Sequence, residues 1–318
     1  MSRRPVVAVT AGDPCGIGPE VILKALVRPP GLRASFLVIG NRDVFARAAR
    51  RLRLPLPASF VHCGPGGRFS PGRTSALAGQ ASLAYLDQAL DLWRNGRIDA
   101  LVTAPVTKWA VARSHSGFTG HTEYLAEALK VRDVAMMFVS DRLRVVLLTR
   151  HVPVRRISRL LTPALLERTV RLTAEALRRR FGLRHPRLAL CGLNPHAGEG
   201  RRDGEEHRVM RPALAAVRRA GVRCEGPFAA DGLFAGEPGR YDAVVCAYHD
   251  QGLIPFKMAS RDAGAQLTLG LPLVRTSPDH GSALDIAGRG TANPGSMRYA
   301  LELAARLASG RAKDPWRC

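Results

Sequence analysis

The 318-residue sequence predicts an α/β fold built on a largely parallel sheet. Short apolar segments that suit buried strands alternate with stretches of helical periodicity. In the middle of the chain, the apolar segments Val134–Val139 and Leu143–Leu148 are separated by only a few polar residues, which predicts an antiparallel hairpin. Three of the predicted strands are also followed closely by a histidine, which would place three imidazole side chains at one edge of the sheet.

The first strand–helix passage illustrates the pattern. Val6–Thr10 is a short apolar strand, and a glycine-rich turn leads from it into a helix from about Pro19 to Val27. Glu20 lies in the first turn of this helix, where the helix dipole favours an acidic side chain. Further along the chain the same reasoning predicts strands at Ser35–Ile39, Ile98–Thr103 and Gln266–Val274, and helices at Ser75–Trp93, Pro163–Phe181 and Pro294–Ala308.

The composition favours a cytoplasmic protein. No apolar run reaches the roughly 18 residues that a membrane-spanning helix requires, and the segment Val6–Thr10 is too short for the apolar region of a signal peptide. The six cysteines form no C-x-x-C pair, and Cys191 and Cys246 lie inside strand patterns. These features predict reduced core thiols and no membrane partner.

The net charge of +22 raises the possibility of nucleic-acid binding. However, only five of the 48 basic residues are lysines, and the arginines are spread through helices and loops. No zinc finger, RNA-recognition signature or basic arm accompanies them. We therefore expect no nucleic-acid partner, although the positive field would attract an anionic substrate.

The strand-end histidines predict a catalytic metal site. In an open α/β sheet, ligands bind outside the carboxyl ends of the strands. Three imidazoles at that edge suit one divalent ion with coordination positions left open for substrate. The three are His151 after the strand 143–149, His196 after 187–193 and His249 after 242–247.

Other motifs have both a structural and a functional interpretation. The loop 10–20 is either a simple strand–helix turn or an anion-binding loop, and it lacks both the dinucleotide fingerprint and the P-loop Lys-Ser/Thr. Thr122 is either a helix cap or, with His121, a hydrogen-bond donor to an anion. Lys257 and Arg275 are candidates for pairing with a phosphate or carboxylate.

Six segments, in order between Thr10 and Gly288, together resemble the 4-hydroxythreonine-4-phosphate dehydrogenase family of vitamin B6 biosynthesis. They are GDPCGIGPE, TAPVTK, GHTEYLAE, NPHAGEG, YHDQGLIPFK and TLGLPLVRTSPDHGSALDIAG. The resemblance implies the two-domain α/β/α architecture of isocitrate and isopropylmalate dehydrogenases, with a mixed, largely parallel sheet. It implies a first domain at 1–125 plus 285–318, a second at 126–284 that carries the histidines, and an active site in the cleft between them.

The resemblance also implies residue roles. The family's metal ligands fall on the three histidines already chosen, and its substrate contacts fall on His121, Thr122, Lys257, Gln266 and Arg275. The chain departs from the family pattern at Gln266, where the family has Asn, and at Gly232, where Thr usually follows Asp231. Asp231 and Asp250 are the candidate proton acceptors, and the sequence does not choose between them.

The implied reaction is the oxidation of 4-phosphooxy-L-threonine by NAD or NADP, followed by decarboxylation to 3-amino-2-oxopropyl phosphate. One divalent ion per site (Zn, Mg or Co) and a homodimer with a shared active site are also implied. Two alternatives stay open within the superfamily: a dehydrogenase for another phosphorylated hydroxy acid, such as a four-carbon sugar acid phosphate, and one for a cis-dihydrodiol dicarboxylate. A basic nucleic-acid-binding protein is the distant alternative.

Overall fold

The structure is a computed structural model that describes residues 3–27, 34–236 and 239–310. Cys318 and the ends of the predicted first domain, residues 1–2 and 311–318, lie outside the described residues. The strands are β1 Val6–Thr10, β2 Ser35–Gly40, β3 Phe60–His62, β4 Ala100–Thr103, β5 Ala135–Ser140, β6 Arg144–Leu147, β7 Arg187–Cys191, β8 Arg223–Phe228, β9 Ala243–Cys246, β10 Gly264–Leu269 and β11 Val274–Pro278.

Helices alternate with these strands, as the periodicity predicted. They are α1 Gly18–Val27, α2 Arg42–Leu52, α3 Ala76–Arg94, α4 Lys108–Ala112, α5 His121–Ala128, α6 Ile157–Leu160, α7 Pro163–Phe181, α8 Arg211–Arg219, α9 Ala230–Ala235, α10 His249–Ser260 and α11 Gly295–Ala308. Two predicted helix starts carry side-chain caps: Ser75 Oγ accepts from Ala78 N and Thr162 Oγ1 accepts from Leu165 N. No helix within the described ranges has both the length and the hydrophobicity needed to cross a membrane.

The described residues form two compact units. The first contains the chain up to Lys130, Asp262–Gln266 and the residues from Leu271 onwards. Its strands lie in the order β3-β2-β1-β4-β11, and every neighbouring pair is parallel. The carboxyl ends of β1, β4 and β11 therefore meet at one edge of this unit.

The second unit contains Val131–Arg261 and Leu267–Gly270. Its strands lie in the order β5-β6-β9-β7-β8. The β5–β6 pair is antiparallel, which confirms the predicted hairpin, and the pairs from β6 to β8 are parallel. Its core packs Phe138 and Phe256 around buried residues of β6, β7 and β9. The predicted mixed, largely parallel α/β architecture is confirmed.

The predicted strand Gln266–Val274 is two strands. β10 ends at Leu269 and β11 begins at Val274, and Gly270 turns the chain between them with φ of +90°. A Cβ at Gly270 would lie 2.1 Å from the carbonyl oxygen of Asp133, so only glycine permits this close approach. Because β11 pairs with β4, the described residues from Leu271 onwards belong to the first unit.

Candidate functional site

The first unit holds a buried arginine near the start of β11, and its side chain reaches the carboxyl end of β4. Arg275 on β11 is in register with Leu101 on β4, so Thr103, two residues further along β4, lies on the same face as Arg275. Arg275 is only 3% exposed and Thr103 is fully buried. A cation buried to this extent needs hydrogen-bond acceptors around it.

Neutral oxygens supply those acceptors. Arg275 donates from Nε and Nη2 to Thr103 Oγ1, at 3.1 and 2.5 Å. Its Nη1 donates to Gln266 Oε1 at 2.5 Å, and the same oxygen accepts from Ser277 Oγ at 3.0 Å. These contacts fix the plane of the guanidinium.

Burial also changes the acidity of this group. It lowers the pKa of Arg275 from 12.5 to about 9, and the carboxylate of Glu123 acts in the opposite direction. The guanidinium is still protonated at neutral pH, which makes this position suited to an anionic ligand.

His121 and Thr122 provide polar atoms in the same unit. His121 Nε2 and Thr122 Oγ1 are buried and have no hydrogen-bond partner among the residues that the structure describes. Burial, followed by the charges of Arg275 and Lys108, holds the pKa of His121 well below its ordinary value, so its imidazole is neutral. Buried polar atoms without partners are costly, and a bound ligand would satisfy them.

Thr122 is not the cap of its helix. α5 begins at His121, its N-cap residue is Gly120, and Thr122 lies inside the first turn. The interpretation of Thr122 as a helix cap is therefore wrong.

The loop after β1 is a packed turn in this structure. Residues 11–20 are all buried. Asp13 N donates to Pro105 O, and Ile17 N donates to Ser282 O. These two backbone groups are used within the unit, which favours the structural interpretation of the loop over the anion-binding one.

The second unit holds the three predicted metal ligands. The rings of His151 and His249 have centroids 5.6 Å apart. His249 Nδ1 lies 2.7 Å from Asp250 Oδ1, and His196 Nδ1 lies 2.9 Å from Glu199 Oε1. A carboxylate on Nδ1 fixes the tautomer and presents Nε2 outward, which is the usual arrangement of histidines that bind metal.

The imidazole nitrogens suit a divalent ion, but the three histidines do not come together as one group within the described residues. Within the described ranges, no group of three or more His, Cys, Asp or Glu side chains is arranged to hold a metal ion. His151 and His249 come together as a pair, whereas His196 is not part of such a group.

A buried carboxylate shapes the loop that carries His196. The four residues from His196 to Glu199 have left-handed backbone angles, with φ between 49° and 77°. Such angles are unfavourable for non-glycine residues. Glu206, 2% exposed, supports the base of this loop: its Oε1 accepts from the backbone N–H groups of Leu193 and Asn194, each at 2.8 Å.

The two candidate proton acceptors have different partners. Asp250 is hydrogen-bonded to His249, whereas Asp231 Oδ1 accepts from the backbone N–H of Gly232 at 2.8 Å. Both aspartates and His196 line a pocket of about 550 Å³. Lys257 lies on the exposed surface of α10.

Sequence reasoning missed three residues that position others: Thr103, Glu199 and Glu206. Thr103 and Glu199 lie within motifs already singled out, TAPVTK and NPHAGEG. A threonine at a strand end has no distinguishing signal, because its contact with Arg275 depends on strand register. Glu199 was detectable in principle, since a carboxylate three residues from a candidate ligand has the reach to orient it.

The chain is similar in sequence and in structure to known proteins. A curated relative from Desulforapulum autotrophicum, named 4-hydroxythreonine-4-phosphate dehydrogenase, is 41% identical and covers 96% of each chain. The crystal structure of a protein of that name from Klebsiella pneumoniae has a TM-score of 0.85 and 35% identity, covering 96% of this chain and 99% of its own. A terephthalate 1,2-cis-dihydrodiol dehydrogenase from Burkholderia xenovorans LB400 has a TM-score of 0.65 and 33% identity, covering 95% and 98%.

The fold is also similar to that of a β-decarboxylating dehydrogenase from Thermococcus kodakarensis, with a TM-score of 0.52 and 20% identity. Fold and relatives together define an α/β dehydrogenase. Residues 33–304 match the family model described as "Pyridoxal phosphate biosynthetic protein PdxA". The chain belongs to this family, which confirms the resemblance found in the sequence.

Proposed function

We propose that the protein oxidises 4-phosphooxy-L-threonine with NAD or NADP and releases CO₂ to give 3-amino-2-oxopropyl phosphate, in pyridoxal phosphate biosynthesis. The observation that carries this proposal is the buried, protonated Arg275, whose guanidinium is oriented by Thr103 and Gln266. His121 and Thr122 support it, because each has a buried polar atom that lacks a partner among the described residues. A phosphorylated substrate would satisfy both the charge and the donors.

Each of these residues has a proposed role in substrate binding. Arg275 donates to an anionic group of the substrate, and Lys257 adds a second positive charge. Thr122 Oγ1 donates a hydrogen bond. The neutral His121 donates or accepts one at Nε2 without adding charge. A bound nicotinamide cofactor would supply the hydride acceptor, and the protein supplies position and electrostatics.

His151, His196 and His249 are the proposed ligands of one divalent ion: Zn, Mg or Co. When bound, such an ion acts as a Lewis acid that favours the ionised substrate hydroxyl and then the enolate left by decarboxylation. The proposal is supported by the carboxylates on Nδ1 of His196 and His249, which leave Nε2 as the ligating atom.

Asp231 is the preferred proton acceptor. Asp250 is hydrogen-bonded to His249, and this contact suits it to orienting a metal ligand instead. Asp231 lines the same pocket as His196, and its hydrogen bond to its own helix turn leaves the carboxylate able to take a proton. Asp231→Asn should therefore lower kcat at neutral pH much more than it raises KM.

The active form is proposed to be a homodimer that shares its site. The described residues of one chain form no group of three such side chains, and a second copy would supply the missing ligand. The exposed apolar surface on α10 supports this assembly, since Ile254 is 60% and Met258 77% exposed beside the pocket that contains His196. Ile254→Asp should give monomers in sedimentation and remove both bound metal and activity.

The proposed location is the cytoplasm. The cysteines of the described residues are free, and Cys191 and Cys246 are buried on the neighbouring strands β7 and β9 without a disulfide between them. Burial and the neighbouring Cys191 raise the pKa of Cys246, so the Cys246 thiol is protonated and unreactive. Reduced thiols are typical of a reducing compartment.

A dehydrogenase for another phosphorylated hydroxy acid is the second candidate. Its support is Gln266, which stands where the family pattern has Asn and whose amide oxygen contacts Arg275. A longer side chain at this position changes the space beside the guanidinium by roughly one C–C bond, about 1.5 Å.

The deciding experiment is a measurement of NAD(P)H formation. 4-Phosphooxy-L-threonine, phosphorylated four-carbon sugar acids and a cis-dihydrodiol dicarboxylate are compared, each after chelation and after adding back Zn²⁺, Mg²⁺ or Co²⁺. The proposal expects the highest kcat/KM on phosphooxythreonine and loss of turnover after chelation. Turnover of a sugar acid phosphate alone would establish the second candidate. Salt-dependent DNA binding without any turnover would refute both.

A further inference from the structure

We propose that Thr103 is a positioning residue that holds the guanidinium of Arg275 in its binding orientation. The inference rests on the proposed function, since it deepens the role given there to Arg275. Thr103 begins the motif TAPVTK, but the sequence does not show that its hydroxyl contacts Arg275. Its role follows from two hydrogen bonds to one side chain, at 3.1 Å from Nε and 2.5 Å from Nη2.

The geometry of these bonds restricts the guanidinium. Nε and Nη2 lie on the same edge of the group, and both point at the single oxygen of Thr103. Gln266 Oε1 accepts from Nη1 at 2.5 Å. The contacts with Thr103 and Gln266 lie on two sides of the group and together define the guanidinium plane. A planar cation with a fixed orientation suits bidentate recognition of phosphate or carboxylate.

The backbone makes this contact rigid. Thr103 is the last residue of β4 and is fully buried, and β4 is paired on both sides, with β1 and with β11. Its hydroxyl therefore sits on a stiff element rather than on a loop. Precise placement of a binding group requires such support from residues locked by packing.

Thr276 offers a matched control. It is the neighbour of Arg275 on β11, is fully buried, and donates from Oγ1 to the backbone carbonyl of Ala300 at 2.8 Å. Thr276→Val therefore removes one hydroxyl from a buried strand of the same unit without touching Arg275. Any general cost of losing a strand hydroxyl should be the same in both valine variants.

The test compares Thr103→Val and Thr276→Val by two measurements. Calorimetric titration with inorganic phosphate requires no turnover, and steady-state kinetics give KM and kcat with phosphooxythreonine and with the nicotinamide cofactor. For Thr103→Val we expect phosphate binding and substrate KM to weaken by about tenfold or more, because acceptors to a charged group are lost. The KM for the cofactor should not change, kcat should fall much less than kcat/KM, and Thr276→Val should behave as wild type.

Two further variants keep the inference falsifiable if Thr103→Val does not fold. Thr103→Ser retains the hydroxyl, whereas Thr103→Cys replaces it with a weak acceptor of similar shape. The serine variant should stay within about threefold of wild-type phosphate affinity, and the cysteine variant should lose about tenfold.

The outcomes separate the inference from the proposed function. If wild type turns over phosphooxythreonine and the Thr103 variants match its substrate KM and phosphate affinity, the inference is wrong and the function stands. Equal losses in cofactor KM and substrate KM would also refute it, since they indicate a general structural defect. If wild type turns over no phosphorylated substrate, the function fails, and the phosphate titration alone decides the role of Thr103.

Discussion

Replacement of Gln266 by asparagine tests how the buried arginine is held. The Oε1 atom of Gln266 accepts from Arg275 Nη1 at 2.5 Å and from Ser277 Oγ at 3.0 Å. Gln266 is 4% exposed, so water has little access to take over either bond. Asparagine is shorter by one methylene and withdraws the oxygen by up to about 1.5 Å. Both bonds would then exceed the usual limits, roughly 3.2 Å for the N–H···O bond from Arg275 and about 3.0 Å for the O–H···O bond from Ser277.

The magnitude follows from the charge of the donor. A hydrogen bond to a charged group contributes about 1.5–3 kcal/mol, and leaving a buried donor without an acceptor costs a comparable amount. Since 1.4 kcal/mol corresponds to a factor of ten, Gln266→Asn should weaken substrate binding by roughly ten- to a hundredfold. The free energy of unfolding should fall by about 1–3 kcal/mol, because the same donor is left unsatisfied in the absence of substrate.

The assay pairs steady-state kinetics with urea unfolding. Ser277→Ala is the matched control, since it removes one neutral donor to Gln266 and leaves the contact with Arg275 intact. It should cost only about 0.5–1.5 kcal/mol of stability and change substrate KM little. If Gln266→Asn keeps wild-type substrate KM and stability, Gln266 does not support Arg275. An asparagine variant that binds phosphooxythreonine better than wild type would instead indicate that Gln266 restricts the substrate.

Three further predictions address other parts of the structure. Because burial keeps His121 neutral in the folded state, the unfolded state binds more protons below about pH 6.5. The free energy of unfolding should therefore decrease as the pH is lowered below that value, by up to about 1.4 kcal/mol per pH unit. His121→Gln should remove this slope from urea unfolding, and an unchanged slope would contradict the burial argument. Gly198→Ala should lower the free energy of unfolding by about 1–2 kcal/mol in thermal unfolding, since φ is +77° and the added Cβ would lie 2.6 Å from Glu206 Oε2. Gly200→Ala is the control: Gly200 has the same φ but open space around it, so the loss of stability should be smaller. His196→Ala should abolish bound metal, measured by elemental analysis of the purified protein, whereas His185→Ala should retain it; full metal content without His196 would rule it out as a ligand.

Periodicity was enough to predict most of the fold. The strand–helix alternation, the hairpin of β5 and β6 and the helices α3, α7 and α11 follow from local pattern and from caps such as Ser75 and Thr162. The apolar stretch Gln266–Val274 was misassigned because hydrophobicity continues through the turn. Gly270 and Pro272 were the signals that two strands meet there.

For the candidate sites, the sequence indicated which residues to choose but not how their side chains are held. The strand-end histidines could be chosen from the sequence because the carboxyl ends of parallel strands share one edge. The conformation of His196 could not, since non-glycine left-handed residues occur only where surrounding structure imposes them. The contact of Arg275 with Thr103 could not be predicted from the sequence either, because it depends on the pairing of two strands that are far apart in the chain.

The pairing of β4 with β11 also affects the order of events on the ribosome. β4 ends at Thr103 and β11 begins at Val274, so its partner is made about 170 residues later, roughly ten to thirty seconds at ordinary rates of synthesis. During this interval one edge of β4 has unpaired backbone groups, and such an edge is a template for wrong pairing. A chain that stops before residue 274 would therefore lack the partner of this edge of β4 and keep its backbone groups open to wrong pairing.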